Sequence, residues 1–288
     1  MNRILPVLTV VLVIVALWYV AAVGMNRAWV YDQASRAGVE PPGFGGLITA
    51  TLNQERPVLP APHQVAAELW KSTVGMAVTS KRSLIYHGWI TVSATLLGFA
   101  MGTVLGVVLA VGIIHNRAMD LSVMPWAIAS QTIPILAIAP MIIVVLNSVG
   151  LQGLVPKAII SAYLSFFPVV VGMVKGLRSP DQMQLDLLKT YNAGDAAAFW
   201  KLRLPASVPY LFASLKVGIA ASLVGAIVGE LPTGAVAGLG ARLLSGSYYG
   251  QTVQIWAALF AAAIVAAGLV ALIGVAERGA LKRMGMAR

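Results

Sequence analysis

The chain has 288 residues, 59% hydrophobic and 10% charged, against roughly 45–50% and about 25% in soluble domains, which excludes water as its main solvent. Its 20 Lys and Arg against 10 Asp and Glu give a net charge of +10; these charges lie between apolar blocks rather than along one aromatic-studded face, which excludes a nucleic-acid partner. The absence of Cys excludes disulfides and thiolate chemistry, and His63, His87 and His115 are too scattered for a metal site.

A helix needs about 20 mainly apolar residues to cross a hydrocarbon core of about 30 Å. Six windows qualify: 4–24, 88–114, 121–146, 154–174, 208–231 and 253–276. The first follows Met1-Asn2-Arg3 and carries Ala21 and Ala22, as a signal peptide would. Its apolar run exceeds a usual signal core, so residues 1–25 read as an uncleaved anchor. Residues 26–87 form an outer, periplasmic connector rich in Gly and Pro (Pro41, Pro42, Gly43, Pro57, Pro60, Pro62), with an amphipathic helix expected from His63 to about Val78. Val65, Leu69 and Met76 form its apolar stripe beside Glu68 and Lys71. Such a helix lies on the membrane surface or packs on the bundle, as a docking surface for a binding protein or as a plain connector.

In the second window Gly98, Gly102 and Gly106 recur every four residues, the spacing of close helix contact. The third contains Pro125, Pro134 and Pro140 and is expected to be kinked. Its polar residues Gln131, Thr132 and Asn147 either line a path or bond between helices. After the fourth window comes a polar loop, 175–207, read as helix, turn, helix: Ser179-Pro180 starts a helix over 182–191, Asn192 and Gly194 permit a reversal, and a second helix covers 196–203. Leu185, Leu188, Phe199, Trp200 and Leu202 give this pair an apolar face too large for it to bury alone. Either a separate subunit covers that face or the inner ends of the spans do.

In the fifth window Lys216 is expected to snorkel to the inner surface. Glu230, at the outer end, is a hydrated group, a partner of Arg242, or part of a substrate path. The sixth window leads into a basic tail, 277–288. With both termini inside, the cytoplasmic pieces hold eleven Lys and Arg, the two short outer loops only Lys157 and Arg242. The positive-inside rule favours that orientation.

From the loop onward the sequence resembles the permease subunits of binding-protein-dependent ABC importers, whose loop carries Glu-Ala-Ala, then Gly, then Leu-Pro. Aligned on Leu204-Pro205, Asp186-Leu187-Leu188 takes the place of Glu-Ala-Ala, Asn192 that of Gly, and Phe199 that of a common aromatic. Asp keeps the carboxylate, two Leu enlarge small residues, and Asn keeps access to the left-handed region. Leu59-Pro60-Ala61-Pro62, the segment 97–102 with Gly106, the run 131–140, Gly229-Glu230-Leu231 and Gly238-Leu239-Gly240 are similar to motifs of the nitrate, sulfonate and taurine branch, so the likeness covers about the last 230 residues.

The resemblance implies an all-α, polytopic, type I (MetI-like) permease with a five-helix core, residues 88–276, plus the N-terminal helix, in a bacterial inner membrane. It further implies a homodimer, a periplasmic substrate-binding protein delivering a small polar solute, and two separate ABC ATPase subunits that carry the ATP and Mg. No Gly-x-x-x-x-Gly-Lys-Ser/Thr loop occurs in this chain, and no cofactor, metal or catalytic residue is expected on it. Asp186, Asn192, Phe199 and Pro205, with Leu188, Trp200 and Leu204, are the expected coupling residues. Gln131, Thr132, Asn147 and Glu230 are the path candidates. The branch handles nitrate, sulfonates and pyrimidine or vitamin-like precursors, and the sequence does not choose among them. An ion-coupled carrier or channel would show inverted repeats and midplane charges, and a membrane enzyme a constellation of acids, His or a nucleophile; neither pattern is found.

Overall fold

The computed structural model describes residues 4–232 and 237–286, and they form helices without strands. In chain order these are α1 (Ile4–Ala37), α2 (Phe44–Leu52), α3 (Pro62–Thr73), α4 (Leu84–His115), α5 (Arg117–Ser130), α6 (Ile135–Ser148), α7 (Leu154–Leu177), α8 (Gln182–Thr190), α9 (Asp195–Ala198), a π-helical turn (Phe199–Arg203), α10 (Leu204–Glu230), α11 (Leu239–Tyr248) and α12 (Thr252–Arg283). Five stretches are long and apolar enough to cross a membrane: α1, α4, α7, α12 and the continuous run Asp195–Glu230. The expected third span is the pair α5 and α6, which pass the same test together and are bent by 99° at a short break; counted as one span, they bring the number among the described residues to six. Each limb has 14 residues, about 21 Å, short of the hydrocarbon thickness.

Of the three prolines in that segment only Pro134 breaks the helix. Pro125 and Pro140 lie inside α5 and α6. Pro134 cannot donate a backbone bond and pushes Ile133 out of the helical region, so the chain restarts at Ile135 with Pro134 as its cap. The Ser130 carbonyl freed at the break accepts a hydrogen bond from the Tyr163 hydroxyl of α7. The neighbouring helix thus satisfies the group that proline leaves open.

The chain divides into two compact units, Met1–His87 with Ala241–Ala262, and Gly88–Gly240 with Ala263–Arg288. In the first, α1 runs on past the expected end at Gly24 to Ala37, and α2 is a helix that the Gly and Pro content had concealed. Asn26, fully buried, organises the connector: its amide donates to the carbonyls of Leu59 (2.9 Å) and Thr51 (3.3 Å), and its oxygen accepts from the Val58 and Leu59 amides. Trp18 donates to the Pro60 carbonyl at 3.0 Å and stacks on Phe260 beside Trp256, and Thr252 donates to the Pro57 carbonyl at 2.6 Å. The Leu59-Pro60-Ala61-Pro62 motif is therefore a pinned, extended strap leading into α3. Helix α3 buries Val65 and ends at Thr73, short of the expected Val78.

In the second unit α4, α7 and α10 meet along seams of small residues. Added Cβ atoms at Gly98 and Gly102 would collide with Ser161 and Ser165 of α7, and one at Gly106 would lie 2.8 Å from the Val169 Cβ. On α10, a Cβ at Gly225 would lie 2.7 Å from the Ser161 Cα, and α7 returns the same fit at Gly176 against Ser207. Ser161 donates to the Ser222 carbonyl at 2.7 Å, and Ser222 donates to the Thr95 carbonyl of α4 at 2.8 Å. Where backbones approach this closely, side-chain hydroxyls bond main-chain carbonyls of adjacent helices. A larger buried cluster, including Ile113, Phe166, Val169, Val170, Met173 and Leu177, fills the end of the unit nearest the loop. Lys216 pairs with Glu277 of α12.

Gly225→Val should lower the unfolding temperature of the purified protein by several degrees, because overpacking against backbone costs about 1–3 kcal/mol. Gly268→Val, where an added Cβ meets nothing within 4 Å, should leave it unchanged. Equal melting of the two variants in a thermal-shift assay would contradict the seam.

Candidate functional site

The loop between α7 and α10 is built as helix, turn, helix. Helix α8 opens with the Gln184 side chain accepting from the Asp181 amide at 3.1 Å and ends in a Schellman motif: the Asn192 amide donates to the Lys189 carbonyl (2.8 Å) and the Ala193 amide to the Leu188 carbonyl (3.0 Å). Asn192 takes φ 53°, the one positive φ at a non-glycine position among the described residues. Asn tolerates this left-handed geometry, and the expected reversal lies at this residue. The second helix expected over 196–203 is continuous with the fifth span, since α9 passes through the π turn into α10. The Leu204 amide reaches back five residues to the Phe199 carbonyl. This widened turn makes room for the Pro205 ring, which in an α-helix would clash with the carbonyl four residues earlier.

The loop is tied to the ends of the spans. Arg178 pairs with Asp120 at 2.8 Å, and Arg203 donates to the Leu177 carbonyl at 3.3 Å. Phe199, part of the apolar face whose cover the sequence left open, is buried among Ala110, Ile113 and Leu177 with His115 edge-on to its ring. Leu185 and Leu188 are half-buried and line a cavity of about 440 Å³ together with His115, Phe199 and Arg203. Trp200, Leu187, Met183 and Tyr191 form the exposed apolar set, the last three missed in the sequence because helix spacing alone did not show which side of α8 faces the spans. Asp186 is exposed and accepts from Lys189 and Gln182, both at 3.1 Å; these bonds, Lys189 first, hold its carboxyl below the usual carboxylate value. Leu204 packs on the buried cluster, and Pro205 is half-buried.

The other candidate group lies at the far end of α10. Glu230 is fully buried and pairs with Lys157 at 3.8 Å, a partner not among the alternatives the sequence offered. Thr91 of α4 donates to both carboxylate oxygens at 3.0 Å, and the Gly240 amide donates at 2.9 Å. The Leu239 amide in turn donates to the Thr91 hydroxyl at 2.8 Å, and Lys157 to the Ala237 carbonyl at 3.2 Å. A Cβ on Gly238, whose φ is +129°, would fall on the Glu230 carboxylate. The Gly229-Glu230-Leu231 and Gly238-Leu239-Gly240 motifs thus meet in one network. Charge is compensated within it, as a buried carboxylate requires. The other path candidates lie elsewhere. Gln131 and Thr132 sit in the break between α5 and α6, where Thr132 donates to the Ala129 carbonyl. Asn147 is exposed near the end of α6, about 18 Å of helix away.

Residues 102–284 match the family model described as "binding-protein-dependent transport system inner membrane component". The chain is 30% identical over 221 residues to a riboflavin transport system permease protein of Chloroflexus aurantiacus, covering 77% of this chain and 78% of that one. It is 29% identical over 194 residues to a formylaminopyrimidine transport permease protein of Halalkalibacterium halodurans (67% and 72% covered). It is 24% identical over 221 residues to a nitrate import permease protein of Leptolyngbya laminosa (74% and 76% covered).

Lys157→Ala should destabilise the protein by about 3 kcal/mol, the cost of leaving a buried carboxylate without its counter-charge. Adding Glu230→Gln should recover part of that loss. Chemical denaturation of the single and double variants in detergent checks both, and additive losses would contradict the pairing.

Proposed function

We propose, from the premise that this chain belongs to the binding-protein-dependent transport system inner membrane components and is a membrane-spanning permease subunit of an ABC importer for small polar solutes, that segment 182–205 seats a separate ATPase subunit. The observation that carries this reading is a rigid helical turn whose outward side presents Met183, Leu187, Tyr191 and Trp200 to solvent. An amphipathic helix of this kind docks in a partner's groove. Asp186 with Lys189 gives the seat its polar border, and Asn192, Phe199, Leu204 and Pro205 fix its geometry. Leu185 and Leu188 support it from behind.

ATP and its Mg are bound by the partner, because this sequence has no phosphate-binding loop. Closure of the ATPase pair biases the permease toward one access state, and hydrolysis releases it to the other. The loop and both termini lie in the cytoplasm, in line with the distribution of Lys and Arg, and the binding protein delivers solute on the opposite side of the inner membrane.

A second copy of the chain completes the path. The contacts at Gly98, Gly102 and Gly225 close the space between α4, α7 and α10, so a solute route runs between copies rather than through one bundle. Gln131, Thr132 and Asn147, on the broken pair, are the residues that meet the solute. Glu230 acts on the path at second hand, by fixing the segment that leads into α11.

Leu187→Glu and Trp200→Glu change exposed side chains and should leave thermal unfolding unaltered. Each should reduce co-purification with the cognate ATPase, and solute uptake, at least about tenfold, since losing a central apolar anchor costs about 2 kcal/mol or more. Asn192→Pro, which removes both an amide donor and the left-handed turn, should do the same, and Asn192→Gly should not. Wild-type uptake in all three disruptive variants would refute the assignment.

A further inference from the structure

Helix α3 carries its burial on the expected side, with Leu69 half-buried beside Val65, and leaves further apolar groups on the other side. Val65 and Ser72 are buried, while Trp70 is 68% and Val74 63% exposed, four residues apart on the same helical side, and Val78 follows at 58%. Interspersed with them along the chain are Lys71, Lys81 and Arg82, all exposed and in none of the ion pairs found among the described residues. Exposed Trp and Val interleaved with unneutralised cations would be a poor surface for open water.

Chain continuity fixes where this surface lies. Arg82 precedes by two residues Leu84, the first residue of the α4 span, a helix of about 48 Å that outruns a hydrocarbon core of about 30 Å, so Lys81 and Arg82 lie on the headgroup side of that span. Ile85 and Trp89, in the opening turns of α4, point outward, at 42% and 71% exposed. Trp at a helix entrance marks the headgroup level of a bilayer. A surface at that depth, with an aromatic and two branched side chains beside three cations, is matched in charge and polarity by the acyl–headgroup boundary of a membrane containing anionic phospholipid.

We propose that residues 70–82 are a lipid-binding surface: Trp70, Val74 and Val78 insert at the acyl–headgroup boundary, and Lys71, Lys81 and Arg82 bind the phosphates of anionic phospholipids in the leaflet from which α4 enters. The segment between the pinned strap at 57–61 and the α4 span is thereby held against the bilayer, which sets the depth of both. A soluble protein partner would also cover Trp70, but nothing requires such a partner to lie at the depth of Arg82.

The chain contains no Cys, so Val74→Cys gives a single site for a nitroxide label. With the full-length protein in nanodiscs of phosphatidylglycerol and phosphatidylcholine, the label should be more accessible to dissolved oxygen than to a water-soluble nickel chelate. In native mass spectrometry, wild type should retain phosphatidylglycerol in preference to phosphatidylcholine. Lys71→Gln/Lys81→Gln/Arg82→Gln should reduce that preference several-fold while leaving detergent-state melting unchanged. A label fully open to the nickel chelate, a label shielded only when a soluble protein is added, or undiminished lipid preference in the triple variant would each overturn the proposal.

Discussion

Everything in the 88–240 unit depends on how closely three helices approach one another. At Gly98, Gly102 and Gly225 there is no room for a methyl group, and Ser161 and Ser222 convert the proximity into hydrogen bonds that reach from α7 through α10 to α4. In lipid, apolar surface does not drive helices together, so association rests on packing and such bonds. Helix α10 runs without a break from the loop at one end to the Glu230 network at the other.

The two ends of α10 are stabilised by different means. Near the loop an apolar cluster around Phe166, Met173 and Phe199 supplies the contacts, with Arg178 and Arg203 securing the rim. At the far end the contacts are polar and buried: one carboxylate receives an ammonium, a hydroxyl and a backbone amide. Lys157 of α7 and Lys216 of α10, both half-buried, are each matched to a glutamate. Neither is left over to hold an anionic solute within the bundle.

Much of this was legible in the sequence, and the omissions have physical causes. Long apolar runs revealed the spans, and Asn192 with its neighbours revealed the reversal, because both are local properties. The Gly98 to Gly106 stripe indicated close contact but not its partner. The 99° break was foreshadowed by three prolines, yet only the structure separates Pro134 from the two that α5 and α6 absorb. Glu230 was left open between water, Arg242 and a substrate path, and Lys157, 73 positions earlier, was not considered, because in a helical bundle spatial neighbours need not be near in sequence. Asn26 was overlooked for the same reason: an amide in an apolar helix looks incidental until the strap it holds, 32 residues on, is seen. Phe199 belongs to the buried side of the loop and Leu187 to the exposed one, a division the sequence does not show, since an amphipathic pattern shows that a helix has two sides and not which one is occupied.

The π turn at Phe199–Arg203 also bears on how such loops diversify. A π turn accommodates one residue more than an α turn in the same stretch of axis, so it rotates the chain before it by about 100° relative to the chain after it. Residues 182–198 are thus set at an angle to α10 that a regular helix would not give them. Deleting one residue within 199–203 would re-aim the whole seat while the packed face of α10, from Ser207 onward, kept its register against α7. Indels here act as a rotary adjustment between a fixed bundle and whatever surface the loop must meet.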